Sequence, residues 1–106
     1  MDADALFDQI AVDLAPRGVL PGALFGARSL TYEGRAFASF KGERCAIKLG
    51  AESPGHAEGL ALGEPFDPSG KGRPMKDWIA VGPSHADAWH RLVEAALDLM
   101  VDGDVG

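Results

Sequence analysis

The sequence lacks several features that mark secreted or membrane proteins. It has 106 residues but a single cysteine, Cys45, so it cannot form an intramolecular disulfide. No apolar run approaches the roughly 18 residues of a membrane span, and no charged-then-apolar leader opens the chain. We therefore expect a cytoplasmic protein that does not associate with membranes.

Signatures of catalysis and metal binding are also missing. There is no Gly-x-Ser-x-Gly or Ser-x-x-Lys arrangement for a nucleophilic serine. His85 and His90 are five residues apart, which turns them to different sides of a helix rather than toward one metal ion. Cys45 falls on the predicted core face of a strand, where a thiol is inert. We expect no catalytic residue, cofactor or metal, and hence no enzyme.

Basic residues are the minority among the charges. Ten Lys and Arg oppose 16 Asp and Glu, which gives a formal net charge of -6. This charge opposes indiscriminate binding to DNA or anionic lipid, although a local basic patch still acts within a Debye length of about 8 Å. The remaining composition, 46% hydrophobic and 25% charged, is typical of one soluble globular domain over residues 1–106.

One glycine-rich segment has a superficial likeness to a phosphate-binding loop. Residues 69–73 read Ser-Gly-Lys-Gly-Arg, but they lack P-loop spacing, and Met75 stands where a dinucleotide fingerprint has its third glycine. We interpret the segment as part of a surface loop over residues 64–74.

Hydrophobic periodicity predicts three helices. The first runs from Asp2 to Ala15, the second starts at Ser53-Pro54 and ends at Gly63, and the third begins at a capping box formed by Ser84 and Asp87. The third helix carries an apolar stripe that starts at Trp89.

Short apolar runs predict the strands. A three-stranded meander is expected between residues 23 and 50, with turns at Glu33-Gly34 and Gly42-Glu43, and a further strand at residues 78–81. We expect Trp78, like Trp89, to pack in the core.

Register assigns the meander side chains to two faces. If both turns are two-residue loops, Leu30 pairs with Phe37, Phe37 with Lys48, and side chains alternate along each strand. The predicted core face consists of Ser29, Thr31, Ala36, Ala38, Phe40, Cys45, Ile47 and Leu49. The predicted outer face consists of Arg28, Leu30, Tyr32, Arg35, Phe37, Ser39, Lys41, Arg44, Ala46 and Lys48.

The predicted outer face holds half of the basic residues together with two aromatic rings. Cations that contact phosphates and rings that stack on bases are what single-strand or polyanion recognition uses. The polyanion-binding candidates are Arg28, Tyr32, Arg35, Phe37, Lys41, Arg44 and Lys48. The alternative is that these residues are the solvated polar face of a half-buried sheet.

Five motifs in order resemble a known family. They are Leu24-Phe25-Gly26, residues 33–38 (Glu-Gly-Arg-Ala-Phe-Ala), residues 46–49 (Ala-Ile-Lys-Leu), Phe66-Asp67-Pro68 and residues 72–78 (Gly-Arg-Pro-Met-Lys-Asp-Trp). The chain thereby resembles the small domain shared by the N-terminal part of TfoX/Sxy competence regulators and the YjbR/MmcQ-like proteins. Leu24 stands where that family usually has methionine.

The resemblance implies an α+β fold: an N-terminal helix, an antiparallel meander, a short helix, a further strand and a C-terminal helix. It also implies a regulatory role, because TfoX-type proteins act through partners of the transcription machinery and YjbR-like members have been suggested to bind DNA. We expect a non-enzymatic regulatory domain that binds a protein partner, as a monomer or weak dimer. The alternative is nucleic-acid binding through the basic sheet face.

Overall fold

Helices cover one face of a single antiparallel sheet. The computed structural model describes residues 2–24, 26–67, 71–72 and 74–103. The helices are α1 (Ala3–Leu14), α2 (Pro54–Leu62) and α3 (Trp89–Gly103), with 3-10 turns at Ala15–Arg17 and Pro83–Ala88. The strands are β1 (Val19–Leu24), β2 (Ala27–Tyr32), β3 (Arg35–Lys41), β4 (Arg44–Lys48), β5 (Glu64–Pro65) and β6 (Trp78–Val81). This arrangement confirms the predicted α+β class.

The sheet has six strands in the order β1-β2-β3-β4-β6-β5. The meander therefore contains four strands rather than the predicted three, because β1 was missed. Pro21 and Gly22 lie inside β1 and are typical strand breakers, but β1 is an edge strand, where proline and glycine are tolerated. A two-residue strand, β5, also lies inside the segment predicted to be a loop.

Both predicted hairpin turns are confirmed. Glu33 and Gly34 have φ of 51° and 81°, and Gly42 and Glu43 have φ of 59° and 63°. Positive φ at both central residues defines a type I′ turn, whose twist matches that of the flanking strands. These turns pair Tyr32 with Arg35 and Lys41 with Arg44, as predicted.

The predicted pairing of Leu30 with Phe37 is wrong. Leu30 pairs with Ala38 while Thr31 pairs with Ala36, so Phe37 is an extra residue that forms a β-bulge in β3. The β3–β4 ladder runs from the Ala38–Ile47 pair to the Lys41–Arg44 pair, so the predicted Phe37–Lys48 pair lies one step beyond it. Because side chains alternate between the two faces of a sheet, one extra residue moves the side chains of β2 and of the start of β3 to the face opposite to the predicted one, while the rest of the meander keeps its predicted faces.

The core lies between the helices and the sheet. Phe7 of α1 stacks on Phe40 of β3 at 5.2 Å between ring centroids, and Phe40 meets Trp89 of α3 edge-on at 5.7 Å. Trp89 is fully buried, as predicted, and its Nε1 donates to the Val81 carbonyl at 3.1 Å. Leu30, expected on the outer face, is buried in this same core.

The helix ends follow the sequence in two cases and depart from it in one. Asp2 caps α1 by accepting from the Ala5 amide at 2.7 Å, and Ser53 caps α2 by accepting from the His56 amide at 3.2 Å. The predicted capping box of Ser84 is wrong, because the turn before α3 begins after Gly82 and no side chain caps it.

Both edges of the sheet carry a proline. The Phe66 amide donates a hydrogen bond to the Trp78 carbonyl on β6. Because the backbone groups of successive residues point to opposite sides of a strand, the backbone nitrogen of Pro65 points away from β6, and it carries no N–H. Pro21 occupies the middle of β1, at the opposite edge, where a residue without an N–H is tolerated only on the solvent side. A proline at each edge hinders pairing with a strand from another chain.

Two serines give opposite predictions for the same substitution. Ser29 is 2% exposed, and its Oγ has no hydrogen-bond partner among the described residues, whereas the Ser53 Oγ caps α2 and donates to the Leu49 carbonyl. An unpaired buried hydroxyl is unfavourable. We predict that Ser29→Ala raises the free energy of unfolding by about 1 kcal/mol and that Ser53→Ala lowers it by about 1 kcal/mol.

Urea unfolding followed by circular dichroism measures both changes. A Ser29→Ala protein less stable than the parent would mean that the hydroxyl has a partner in solution.

Candidate binding groove on the open sheet face

The structure divides the seven predicted polyanion-binding residues. The β-bulge places Arg28, Tyr32, Arg35 and Phe37 on the side of the sheet that packs against the helices, or inside the core. Lys41 and Arg44 project from the opposite face, which we call the open face. The prediction that all seven share one outer face is therefore wrong.

Arg28 is engaged by the first helix. Its guanidinium contacts the carboxylates of Asp4, at 3.1 Å, and Asp8, and it lies 5.0 Å from the centre of the Phe7 ring. These contacts use the cation to hold β2 against α1, so Arg28 acts in packing rather than as part of an open basic surface.

The aromatic residues expected to stack on bases are not on the open face. Phe37 is fully buried in the core and Tyr32 packs partly buried against it. Arg35 is exposed, and it lines a shallow cavity of about 230 Å³ together with the half-buried Lys48 and the last turns of α3. Lys48 is thus separated from Lys41 and Arg44 along the sheet.

A groove crosses the open face, and its floor is made of small side chains. Ser39, Ala46 and Ala80 lie on the adjacent strands β3, β4 and β6 and are 3–4% exposed. Strands lie about 4.8 Å apart, so three of them give a flat floor about 10 Å wide. Because these side chains are short, an occupant can approach the sheet backbone closely.

The walls of the groove come from opposite edges of the sheet. Leu24 and Ala27 form one side at the β1–β2 connection, and Phe66 and Asp67 form the other. The groove has a volume of about 260 Å³.

The segment that carries Phe66 is anchored to β6. The centroid of the Phe66 ring lies 6.0 Å from that of Trp78, and the Phe66 carbonyl accepts a hydrogen bond from the Met75 amide at 2.8 Å. The Asp67 carboxylate accepts a hydrogen bond from the Gly72 amide at 2.8 Å. Trp78 is buried, as predicted, but it packs on the open face beneath Phe66. Phe25, Pro68 to Gly70 and Arg73, which belong to the family motifs or to the glycine-rich segment, lie outside the described residues.

Two cations stand at one end of the groove. Lys41 and Arg44 are directly opposite each other across the β3–β4 hairpin, and both line the groove. The Arg44 guanidinium contacts the carboxylate of Glu64, while Lys41 has no ion-pair partner within the described residues. Like charges directly opposite each other are destabilising, so this end of the groove favours an anion.

Two titratable residues outside the groove, Cys45 and His90, are held within the packed structure. Burial raises the pKa of the Cys45 thiol well above its usual range, which disfavours the nucleophilic thiolate. His90 lies between Asp13, at 3.1 Å, and Glu94, at 2.6 Å, and so links α3 to α1. The described part of the chain contains no group of three or more metal-ligating side chains, and no helix within it is long and apolar enough to span a bilayer.

Sequence reasoning placed Ser39, Lys41, Arg44 and Ala46 together on one outer face, as in the structure, but missed the walls of the groove and Ala80. Phe66 and Asp67 belong to a family motif that gives them no place on the sheet. Ala80 is distant from β3 and β4 in sequence and reaches the floor because β6 pairs with β4. The available signal for the floor was the pair of small residues Ser39 and Ala46, which lie opposite each other on neighbouring strands.

Comparison of the chain with protein-family models, with curated proteins and with solved structures found no match.

The division of the basic residues predicts different stability effects for two of them. Arg28→Ala removes two ion pairs and a cation–π contact at a half-exposed side chain, so we expect a loss of about 1 kcal/mol in the free energy of unfolding. Lys41→Ala should change it by less than about 0.5 kcal/mol.

Thermal or urea unfolding at low and high salt tests this difference, and the effect of Arg28→Ala should shrink as salt screens the ion pairs. Equal effects of the two substitutions would contradict the assignment of Arg28 to the helix side.

Proposed function

We propose that this chain is a non-enzymatic regulatory domain of the TfoX N-terminal type, which binds a protein partner in the cytoplasm through the groove on its open sheet face. The observation that carries the proposal is the groove itself. One sheet face is covered by helices, whereas the other presents a floor of three small side chains between an aromatic wall and two cations. The order of helices and strands also agrees with the layout that the family resemblance implies.

The size of the groove supports binding to a macromolecule. Pockets that enclose a drug-sized ligand measure about 300–1,000 Å³, and this groove measures about 260 Å³. It fits one or two side chains of a larger partner, whose remaining contacts would lie on the surrounding sheet.

The lining of the groove supports binding rather than bond cleavage. The described residues that line it include no histidine or cysteine, and their one carboxylate, Asp67, accepts a hydrogen bond from the Gly72 amide within its own loop. General acid–base catalysis needs a side chain positioned to exchange a proton with substrate. Ser39 also lines the groove, but activation of a serine hydroxyl commonly uses an adjacent histidine, and the described lining contains none.

Nucleic-acid binding is the competing function. The two cations of the groove favour it, but Glu43, Glu64 and Asp67 lie close to them in sequence or in space. Recognition of a duplex backbone commonly uses six to ten phosphate contacts. The two rings on which bases were expected to stack also lie away from the open face, since Phe37 is buried and Tyr32 packs against the core.

Site-specific photo-crosslinking distinguishes these functions. We would place p-benzoylphenylalanine at Leu24, an apolar wall residue of the groove, and in a matched control at Val12, which is 65% exposed on α1. The full chain would be irradiated inside cells of the organism that makes it. We predict discrete adducts from position 24 that protease removes and nuclease does not, and few from position 12.

Nuclease-sensitive adducts at position 24 would favour the nucleic-acid function. Equal labelling from both positions would contradict the assignment of the groove as the binding surface.

A further inference from the structure

We infer that the groove recognises an acidic side chain, Asp or Glu, presented by an extended segment of the partner protein. This inference rests on the proposed function and specifies its ligand. It follows from three features: the closed edges of the sheet, the shape of the groove and the charges at its end.

The edges of the sheet direct a partner to its face. Strand addition requires a continuous row of free N–H and C=O groups along an edge. Pro21 interrupts that row in β1, and Pro65 is one of the two residues of β5. A partner segment therefore gains little from pairing with either edge, and the open face is the surface that can receive it.

The floor of the groove suits an extended chain. It is formed by Ser39, Ala46 and Ala80 on three neighbouring strands. The alanine side chains have one heavy atom each and the serine side chain has two. Phe66 stands as an apolar wall beside this floor. A segment that crosses the floor can place an apolar side chain against the ring and direct the next polar side chain toward the hairpin end.

The hairpin end supplies the preference for a carboxylate. Lys41 and Arg44 face each other as a cross-strand pair, an arrangement that an anion between them would relieve. Arg44 contacts the carboxylate of Glu64, and its side chain remains 47% exposed. Lys41 has no acidic partner within the part of the chain that the structure describes, so its ammonium group can donate hydrogen bonds to a carboxylate of the partner.

The same surroundings disfavour a polyphosphate. The groove end offers two cations, and Glu64 and Asp67 lie beside them in a chain of net charge -6. One carboxylate can approach the cations directly, whereas a string of phosphates would also approach these acids.

The test uses the full ¹⁵N-labelled protein and defined probes. The probe is the pentapeptide acetyl-Val-Glu-Val-Asp-Val-amide, and its matched control replaces Glu and Asp with Gln and Asn. We predict shifts of the amide resonances of Ser39, Lys41, Ala46 and Ala80, and affinity about tenfold higher for the acidic peptide than for the neutral one. Affinity should fall as salt rises.

Two variants separate charge recognition from folding. Lys41→Glu places an internal carboxylate opposite Arg44, so we expect an unchanged or higher Tm together with affinity about tenfold lower for the acidic peptide. Lys76→Glu makes the same charge change at an exposed lysine outside the groove and should leave affinity within about twofold of the parent.

The alternative outcomes overturn the inference. They are equal binding of the acidic and neutral peptides, shifts outside the groove, insensitivity to Lys41→Glu, or tighter binding of oligothymidylate at the same residues. Failure here combined with protease-sensitive crosslinks at position 24 would leave the proposed function in place and reject only the acidic ligand. Absence of those crosslinks would reject the function itself.

Discussion

The extra residue in β3 determines which side chains the sheet hides and which it presents. Phe37 and Phe40 are three positions apart, so regular alternation would place their rings on opposite faces. The bulge lets both rings join the core. Burial of a phenylalanine contributes about 1.5–3 kcal/mol, which exceeds the roughly 1 kcal/mol of one ladder hydrogen bond. The irregular register is therefore favoured by the hydrophobic effect.

The distribution of charge follows from that register. Arg28 comes to the helix side, where Asp4 and Asp8 of α1 meet it, and this pairing uses acids that would otherwise add to the charge of the surface. Lys41 and Arg44 lie beyond the bulge and remain on the open face, beside a floor of small side chains. Prolines at both sheet edges hinder the addition of a strand there. Packing of one aromatic ring thus separates a structural arginine from two cations on the open face.

Local signals were sufficient for much of the fold. The apolar stripe of α1, the glycines of the two turns and Ser53 at the start of α2 each determine structure through contacts with near neighbours, and each was confirmed. The strand pairing next to the second turn, Lys41 with Arg44, was also correct because the turn fixes it directly.

Features that depend on distant residues were missed. No residue type marks Phe37 as a bulge, because its position is decided by the helices that cover the core. β1 was not predicted because it contains Pro21 and Gly22, which are typical strand breakers. They are tolerated because β1 lies at the edge of the sheet, a position that depends on distant residues. The groove was only half predicted, since Phe66 and Ala80 reach Lys41 through the pairing of β6 with β4.

The register around Phe37 can be measured directly from interstrand backbone nuclear Overhauser effects in the labelled protein. The bulge predicts contacts between Leu30 and Ala38 and between Thr31 and Ala36. Contacts between Leu30 and Phe37 in their place would restore regular alternation, return Arg28 and Arg35 to the face of Lys41, and contradict the division of the sheet on which the groove depends.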